Sequence, residues 1–397
     1  EVTMDLQKFN RDYSTAVKGY HIDIPDDFNF AFDILDSRAA ENDGVAVIAV
    51  SRDGETIRDI RYSDYAEDSA RLANAFLSLG IGKGDFGCLV IGRIPEWYTV
   101  LFACMKVGAI SMPGTNLLTA KDIAYRVQRS KARFVVVTPE HCEKVDAVCG
   151  DCPTLEHFIV VGGTHPGWLS LDELMAKASP TLARKDAPPT VASDMMMAYF
   201  TSGTTSMPKM VPRDFGYALA HAATALFWMD LREGDVHWTL TDTGWAKAAW
   251  GLLFPPLLAG SKIVLYDGEG AFDPHFHLDL IQRLKVSTFC APPTVYRLFA
   301  QQDLGKYDFS SLRRSLGAGE TINIVGNFPG METRFGSMGK PVPGFDIDII
   351  DDDGNRQPDN EVGHIAIRTD GDSWPPGLFD GYYTGGEPDR EAFRHGW

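Results

Sequence analysis

Hydroxyls at Thr201, Ser202, Thr204 and Thr205, a glycine at position 203 and an ammonium at Lys209 share one stretch, Thr201-Ser202-Gly203-Thr204-Thr205-Ser206-Met207-Pro208-Lys209. Backbone N–H groups, hydroxyls and an ammonium can converge there on an anion, and phosphate is the anion that suits such a set. The stretch is not the nucleotide loop G-x-x-x-x-G-K-[ST], because the second glycine is missing and no hydroxyl residue follows Lys209. The plainer alternative is a serine- and threonine-rich turn without a ligand. Two further sets have metal-ligating types. His275 and His277 in Asp273-Pro274-His275-Phe276-His277 lack a third ligand nearby and are expected on a polar surface loop. His141-Cys142 with Cys149 and Cys152 lacks a second well-spaced pair and is expected on a surface helix and loop without zinc.

The elements around the hydroxyl-rich stretch are those of a parallel sheet. Met195 to Phe200 is an uninterrupted apolar run, as in a strand buried on both faces, and Phe215 to Met229 reads as a helix, so the stretch is expected to join strand to helix. Upstream, a short helix over Phe28 to Ala40 precedes a hairpin, Val45–Val50 turning at Asp53-Gly54 into Thr56 to Tyr62. Helices over Tyr65–Leu79, Glu96–Val107, Thr119–Ser130 and Glu140–Val148 then alternate with strands at Cys88–Ile91, Ile110–Met112, Arg133–Val137 and Phe158–Val161. Leu182 to Ser193, with Pro188-Pro189, is the expected linker. After it strands are expected at Val236–Leu240, Lys262–Tyr266, Ser287–Ala291 and Arg314–Leu316, with helices at Trp245–Leu258, Asp279–Leu284 and Thr294–Gln302.

In open parallel sheets ligands bind outside the carboxyl ends of the strands. Those ends are Phe200-Thr201-Ser202, Thr241-Asp242-Thr243-Gly244-Trp245, Ala291-Pro292-Pro293 and Gly317-Ala318-Gly319-Glu320, and all four are expected to face one crevice. From Thr321 the period changes to two, with Asp346–Ile350 and Gly363–Arg368 forming a small antiparallel unit. The expected fold class is α/β: two open, mostly parallel sheets with crossover helices plus a small antiparallel β unit. The expected divisions are residues 1–190, 191–320 with the anion loop, and 321–397.

Composition bounds the function. The chain has 397 residues, 44% of them apolar, enough for two or three packed units. Its 37 basic and 54 acidic residues leave a net charge of −17, which argues against nucleic acid or an anionic membrane as partner and makes the anion site a local feature. No apolar run is long enough to span a bilayer, and Glu1-Val2-Thr3-Met4-Asp5 has neither a basic stretch nor an apolar core of a signal peptide. The cytoplasm is the expected compartment. Cys88, Cys104 and Cys290 sit in apolar runs and read as free core thiols.

The anion stretch resembles the signature [ST]-S-G-[ST]-[ST]-G-x-P-K of the adenylate-forming superfamily, which holds acyl-CoA synthetases, luciferases and peptide-synthetase adenylation domains; Ser206 replaces the usual last glycine. Trp238-Thr239-Leu240-Thr241-Asp242-Thr243-Gly244-Trp245, Ala291-Pro292-Pro293-Thr294-Val295-Tyr296-Arg297, Gly339-Lys340-Pro341-Val342-Pro343-Gly344 and Pro376-Gly377-Leu378-Phe379-Asp380-Gly381-Tyr382 resemble strings of the medium-chain acyl-CoA synthetases and their relatives that activate short or aromatic acids.

The resemblance implies that a carboxylate attacks the α-phosphorus of Mg-ATP, giving an acyl-adenylate and pyrophosphate, and that the thiol of coenzyme A then displaces AMP. It implies that Thr201, Ser202, Gly203, Thr204, Thr205, Ser206 and Lys209 cradle the phosphates, with Thr204 and Lys209 as the catalytic candidates. Ala318, Gly319 and Glu320 match the segment that covers adenine, and Trp245 with Gly244 the wall of the acyl pocket; a core indole is the alternative for Trp245. The metal ligands stay unassigned. The family places a helix, a strand and an acid that helps to hold Mg²⁺ after Glu320, so about 25 further residues are expected between Glu320 and Thr321. The mobile C-terminal domain of the family is absent from this sequence. The partners implied are a small carboxylic acid, ATP and CoA. The alternatives are an acid-adenylating enzyme that loads a carrier-protein thiol and a non-catalytic adenylate-binding protein.

Overall fold

The computed structural model describes residues 6, 9, 11–201, 207–268, 270–317, 324–328, 331, 337–370, 374–391 and 393–397. The strands of its two large sheets are, in chain order, β1 (Val45–Val50), β2 (Ile57–Arg61), β3 (Phe86–Val90), β4 (Ile110–Pro113), β5 (Phe134–Val137), β6 (His157–Val160), β7 (Leu169–Ser170), β8 (Met195–Phe200), β9 (Met210–Asp214), β10 (Val236–Thr239), β11 (Lys262–Tyr266), β12 (Thr288–Ala291) and β13 (Arg314–Gly317). One sheet runs β7-β6-β5-β3-β4-β8-β9 and the other β13-β12-β10-β11-β1-β2. In each, every pairing is parallel except that of the terminal hairpin strand, β9 on β8 and β2 on β1. Small antiparallel pairs follow, β14 (Val325–Gly326) with β15 (Lys340–Pro341) and β16 (Ile347–Ile350) with β17 (His364–Ile367). The expected fold class is thus observed.

Sheet membership crosses the expected division at 190/191 in both directions. The early hairpin β1–β2 extends the later sheet, with Val47 to Val50 in parallel register against Ile263 to Tyr266. The hairpin β8–β9 extends the earlier sheet through β4, where Ser111 faces Met197. The stretch 182–193 is also no free tether. Asn29 donates to the Thr190 hydroxyl at 3.1 Å, and the Ala192 N–H donates to the Asp26 carbonyl at 2.7 Å.

The helix Glu96–Val107 shows why the two layers hold together. It is buried on nearly its whole circumference and stops at Gly108, whose φ of 72° only glycine adopts without strain. Its Tyr98 and Phe102 pack against Tyr65 of the helix Tyr62–Ser78 in tilted and edge-on ring contacts, and the Tyr98 hydroxyl donates 2.6 Å to the Leu252 carbonyl. A structural charge is neutralised in the same layer. The Lys106 ammonium, on a side chain 1% exposed, pairs with Asp36 at 2.9 Å.

Three local expectations need correction. The anion stretch does not lead directly into a helix; the antiparallel strand β9 follows it, and the helix starts only at Phe215. His275 and His277 stand in a helix, Pro274–Arg283, capped by Asp273, because the N-terminal proline and the Asp273 carboxylate satisfy its first turn; His277 is buried and stacks on Trp238 at 5.5 Å. Cys142 and Cys152 are buried in the apolar cluster on the far face of the first sheet and are not surface residues. Burial pushes the Cys142 thiol up to about 11, so it is protonated. The junction of Glu320 and Thr321, where about 25 further residues are expected, lies outside the described residues.

Candidate functional site

Parallel neighbours end on the same edge, so the β4–β8 pairing sets the loop at Gly114-Thr115 beside Thr201. Thr201 and Lys209 close the hairpin: the Thr201 N–H donates to the Lys209 carbonyl, and the Lys209 N–H donates to the Thr201 hydroxyl, each at 2.9 Å. The hydroxyl is thereby fixed at the strand end. The Tyr125 hydroxyl donates to the Pro208 carbonyl at 2.8 Å and steadies the returning strand. The Lys209 side chain is exposed, with its ammonium 4.5 Å from the centre of the Tyr382 ring. The following residue, Tyr383, donates its N–H to the Met210 carbonyl, so the segment around Tyr382 is laced to the hairpin. Ser202, Gly203, Thr204, Thr205 and Ser206 lie outside the described residues, as do Ala318, Gly319 and Glu320.

The second sheet reaches this edge through the loop after β10. Asp242 uses both carboxylate oxygens, accepting from the Gly244 N–H at 2.8 Å and from the Thr115 hydroxyl at 3.1 Å. The Thr243 hydroxyl donates to the Ile91 carbonyl at 2.7 Å. Gly244 lies so close to the other loop that a Cβ there would stand 1.9 Å from the Thr115 nitrogen, so glycine is required by contact. Arg93, after β3, donates from Nε to the Tyr266 carbonyl at 3.0 Å at the end of β11, and from Nη2 to the Gly268 carbonyl. The carboxyl-end loops of both sheets are therefore bound to one another.

Trp245 follows this clamp and is 45% exposed, which removes the core-indole alternative: a packing tryptophan would be buried. A cavity of about 280 Å³ opens beside the same strand ends, lined by Thr239, Leu240, Thr241, Tyr266, Phe272 and Pro292 among others, with Arg93 at its rim; Trp245 and Gly244 do not line it. Behind the loop, His237 is fully buried between two threonine hydroxyls, Thr288 at 2.6 Å and Thr239 at 2.7 Å, and burial drives its pKa down to about 4. It is neutral and structural. His221, buried against Tyr217 and Phe254, is pushed to about 3 by desolvation and then by Arg213. Among the described residues no group of three His, Cys, Asp or Glu side chains gathers to hold a metal ion.

Arg93, Thr115, Tyr125 and Tyr382 were missed from sequence. Their partners stand far off in the chain, and no local pattern marks them. Tyr382 alone had a signal, because it closes the Pro376–Tyr382 string.

Comparison with known proteins fits this geometry. The model of the AMP-binding enzyme family matches residues 36–325. Human mitochondrial acyl-coenzyme A synthetase ACSM5 is 35% identical over 380 residues, covering 87% of this chain and 65% of that protein. Human mitochondrial acyl-coenzyme A synthetase ACSM3 is 33% identical over 96% of this chain and 70% of its own length. Among solved structures, the anthranilate CoA ligase AuaEII in complex with anthranoyl-AMP superposes with a TM-score of 0.79 at 27% identity, over 90% of this chain and 72% of that one. The Brucella canis acyl-CoA synthetase gives 0.80 at 25% identity, over 98% and 75%. This chain spans about two thirds of the length of such relatives, and it belongs to the AMP-binding enzyme family.

Proposed function

We propose that this chain carries the nucleotide- and acid-binding part of an AMP-forming acid–thiol ligase. Its protein activates a short- or medium-chain or aromatic carboxylic acid with ATP and passes the acyl group to coenzyme A. The observation that carries this reading is the joined carboxyl edge: the Thr201–Lys209 hairpin, the Gly114-Thr115 loop and the Asp242–Gly244 loop meet across two sheets. A substrate oxygen and a phosphate can be held there on elements that these contacts tie to one another.

In the first step an oxygen of the carboxylate attacks the α-phosphorus and pyrophosphate leaves with the electron pair. In the second the thiolate attacks the acyl carbon and AMP leaves. Residues Thr201 to Ser206 and Lys209 cradle the phosphates, with Thr204 and Lys209 stabilising the charge that builds on the leaving pyrophosphate. Ala318 to Glu320 border adenine, and Trp245 with Gly244 borders the acid. Mg²⁺ comes with the nucleotide, whose phosphate oxygens and water are its usual ligands, and no described residue is assigned to it. The acyl-CoA synthetases among the relatives favour CoA over a carrier protein as the thiol.

Among the described residues no helix is long and apolar enough to cross a membrane. The cytoplasm is kept as the proposed compartment on the sequence reading, although the human relatives are named as mitochondrial; fractionation of cells expressing the full-length protein separates the two. The reaction itself is tested by pyrophosphate release from the full-length protein across acids from acetate to octanoate and benzoate, with and without CoA. Acid-dependent release is expected, with acyl-CoA formed when CoA is present. Nucleotide turnover indifferent to every acid would overturn the proposal.

A further inference from the structure

The cation at the hairpin end has a ring beside it and no counter-ion. Lys209 makes no ion pair with a described residue, and its ammonium stands 4.5 Å from the centre of the Tyr382 ring. A free lysine stem of four carbons loses much rotamer freedom when a ligand draws it to one place, and a ring that already holds the ammonium removes part of that loss beforehand.

The pairing is repeated along the strand. Lys209, just before β9, and Arg213 within it are four residues apart, so an extended chain puts both on one face. The Arg213 guanidinium lies 5.4 Å from the centre of the Phe379 ring, and the rings of Phe379 and Tyr382 meet edge-on at 5.3 Å. Two adjoining rings thus cover two cations of one strand face.

The rings are anchored without help from Lys209. Tyr382 exchanges both backbone hydrogen bonds with Asp389, each at 2.9 Å. Gly381 before it has a φ of 122°, and a Cβ there would stand 2.7 Å from the Asp389 carbonyl oxygen, so the turn requires glycine. Tyr383 donates its N–H to the Met210 carbonyl at 2.9 Å, its own carbonyl accepts from Arg129 at 2.9 Å, and its ring lies 5.7 Å from that of Phe86 in the first sheet. The Tyr382 hydroxyl has no hydrogen-bond partner among the described residues, so what the side chain offers is its ring face.

We propose that Tyr382 is a positioning residue of the phosphate site: its ring holds the Lys209 ammonium at the hairpin end before the nucleotide arrives, and the cation keeps that ring behind it once phosphate is bound. The inference rests on the reading of Lys209 as a phosphate ligand given above. It adds the residue through which the 376–383 segment serves that ligand.

The probe is a non-hydrolysable ATP analogue titrated calorimetrically into the full-length protein. Tyr382→Leu is expected to weaken its binding about twofold to fivefold, the worth of an open cation–π contact turned into affinity, whereas Tyr382→Phe keeps a ring face and binds as the unaltered protein does. In the Lys209→Ala protein, Tyr382→Leu is expected to cause no further loss. Phenylalanines of increasing fluorination placed at position 382 keep the shape of the ring and drain its negative face, so affinity is expected to fall step by step with each fluorine, and only while Lys209 is present. A flat fluorine series, or a Tyr382→Leu loss as large without Lys209 as with it, overturns the positioning role. Should Tyr382→Leu fail to fold, the fluorine series decides alone. Unchanged affinity in Lys209→Ala removes the lysine from the phosphate site and the inference with it; a loss in Lys209→Ala beside a flat fluorine series strikes Tyr382 alone.

Discussion

Lys209 is exposed at the hairpin end, and its contact with Tyr382 is an open cation–π approach worth about 0.5–1 kcal/mol. Lys209→Ala is therefore expected to leave the melting temperature nearly unchanged. If its ammonium meets the nucleotide phosphates, the same change costs a charge-assisted bond, and affinity for a non-hydrolysable ATP analogue falls about tenfold to a hundredfold. Unchanged nucleotide affinity removes Lys209 from the phosphate site. His221 is the opposite kind of residue, sealed between aromatic rings and serving stability alone. Its folded pKa is depressed from 6.5 to about 3, so the unfolded chain takes up the proton first as the pH drops. The stabilising contribution is complete above 6.5 and is lost progressively below it, amounting to about 2 kcal/mol between neutral pH and pH 5. His221→Phe fits among Tyr217 and Phe254 and cannot titrate. Its loss of melting temperature between pH 7 and pH 5 is expected to be smaller than that of the unaltered protein, and equal losses remove His221 as a source of the acid sensitivity.

At the scale of elements, the sequence was most legible where pattern and cap agree. The helix Glu96–Val107 was expected with the bounds it has, since a proline before it and Gly108 after it mark both ends. The strand β9 was illegible because Pro212 breaks the pattern of a strand. A proline lacks the N–H of a ladder, yet β9 lies at the sheet edge and pairs on one side only, where that loss costs little. Thr224–Trp228 and Ala249–Leu253 widen to π turns inside stretches that read as plain helices, a change that periodicity in apolar residues does not reveal. The candidate site was legible in type and not in assembly: Gly244 was named as pocket wall, whereas its observed property is contact with the 114–115 loop. Gly244→Ala forces a Cβ into backbone atoms that cannot rotate away. It is expected to cost about 1–3 kcal/mol or more, as overpacking does, and to lower the melting temperature. Trp245→Ala, by contrast, truncates an exposed side chain and is expected to change stability by no more than about 0.5 kcal/mol. A Gly244→Ala protein that melts like the unaltered one refutes the clamp.

The body of the molecule is two large sheets that complete each other out of chain order, a property that local patterns could not disclose because these parallel pairings join segments from about ninety to more than two hundred residues apart. β1 finds its parallel neighbour in β11, and β8 finds its own in β4. Cutting the chain after residue 190 would strip β1 and β2 from one sheet and β8 and β9 from the other, exposing apolar strand faces and unpaired backbone edges in both halves. It would also sever the ties from Thr115 to Asp242, from Thr243 to Ile91 and from Arg93 to Tyr266, which join the carboxyl edges. Residues 1–190 and 191–397 expressed separately are therefore expected to melt without a cooperative transition and to aggregate, while the two halves produced in one cell copurify as a complex that melts cooperatively. A fragment of residues 191–397 that unfolds alone in one sharp transition near the temperature of the intact chain would mean that the β1–β2 hairpin contributes little, and the interlocked reading of the two sheets would fall with it.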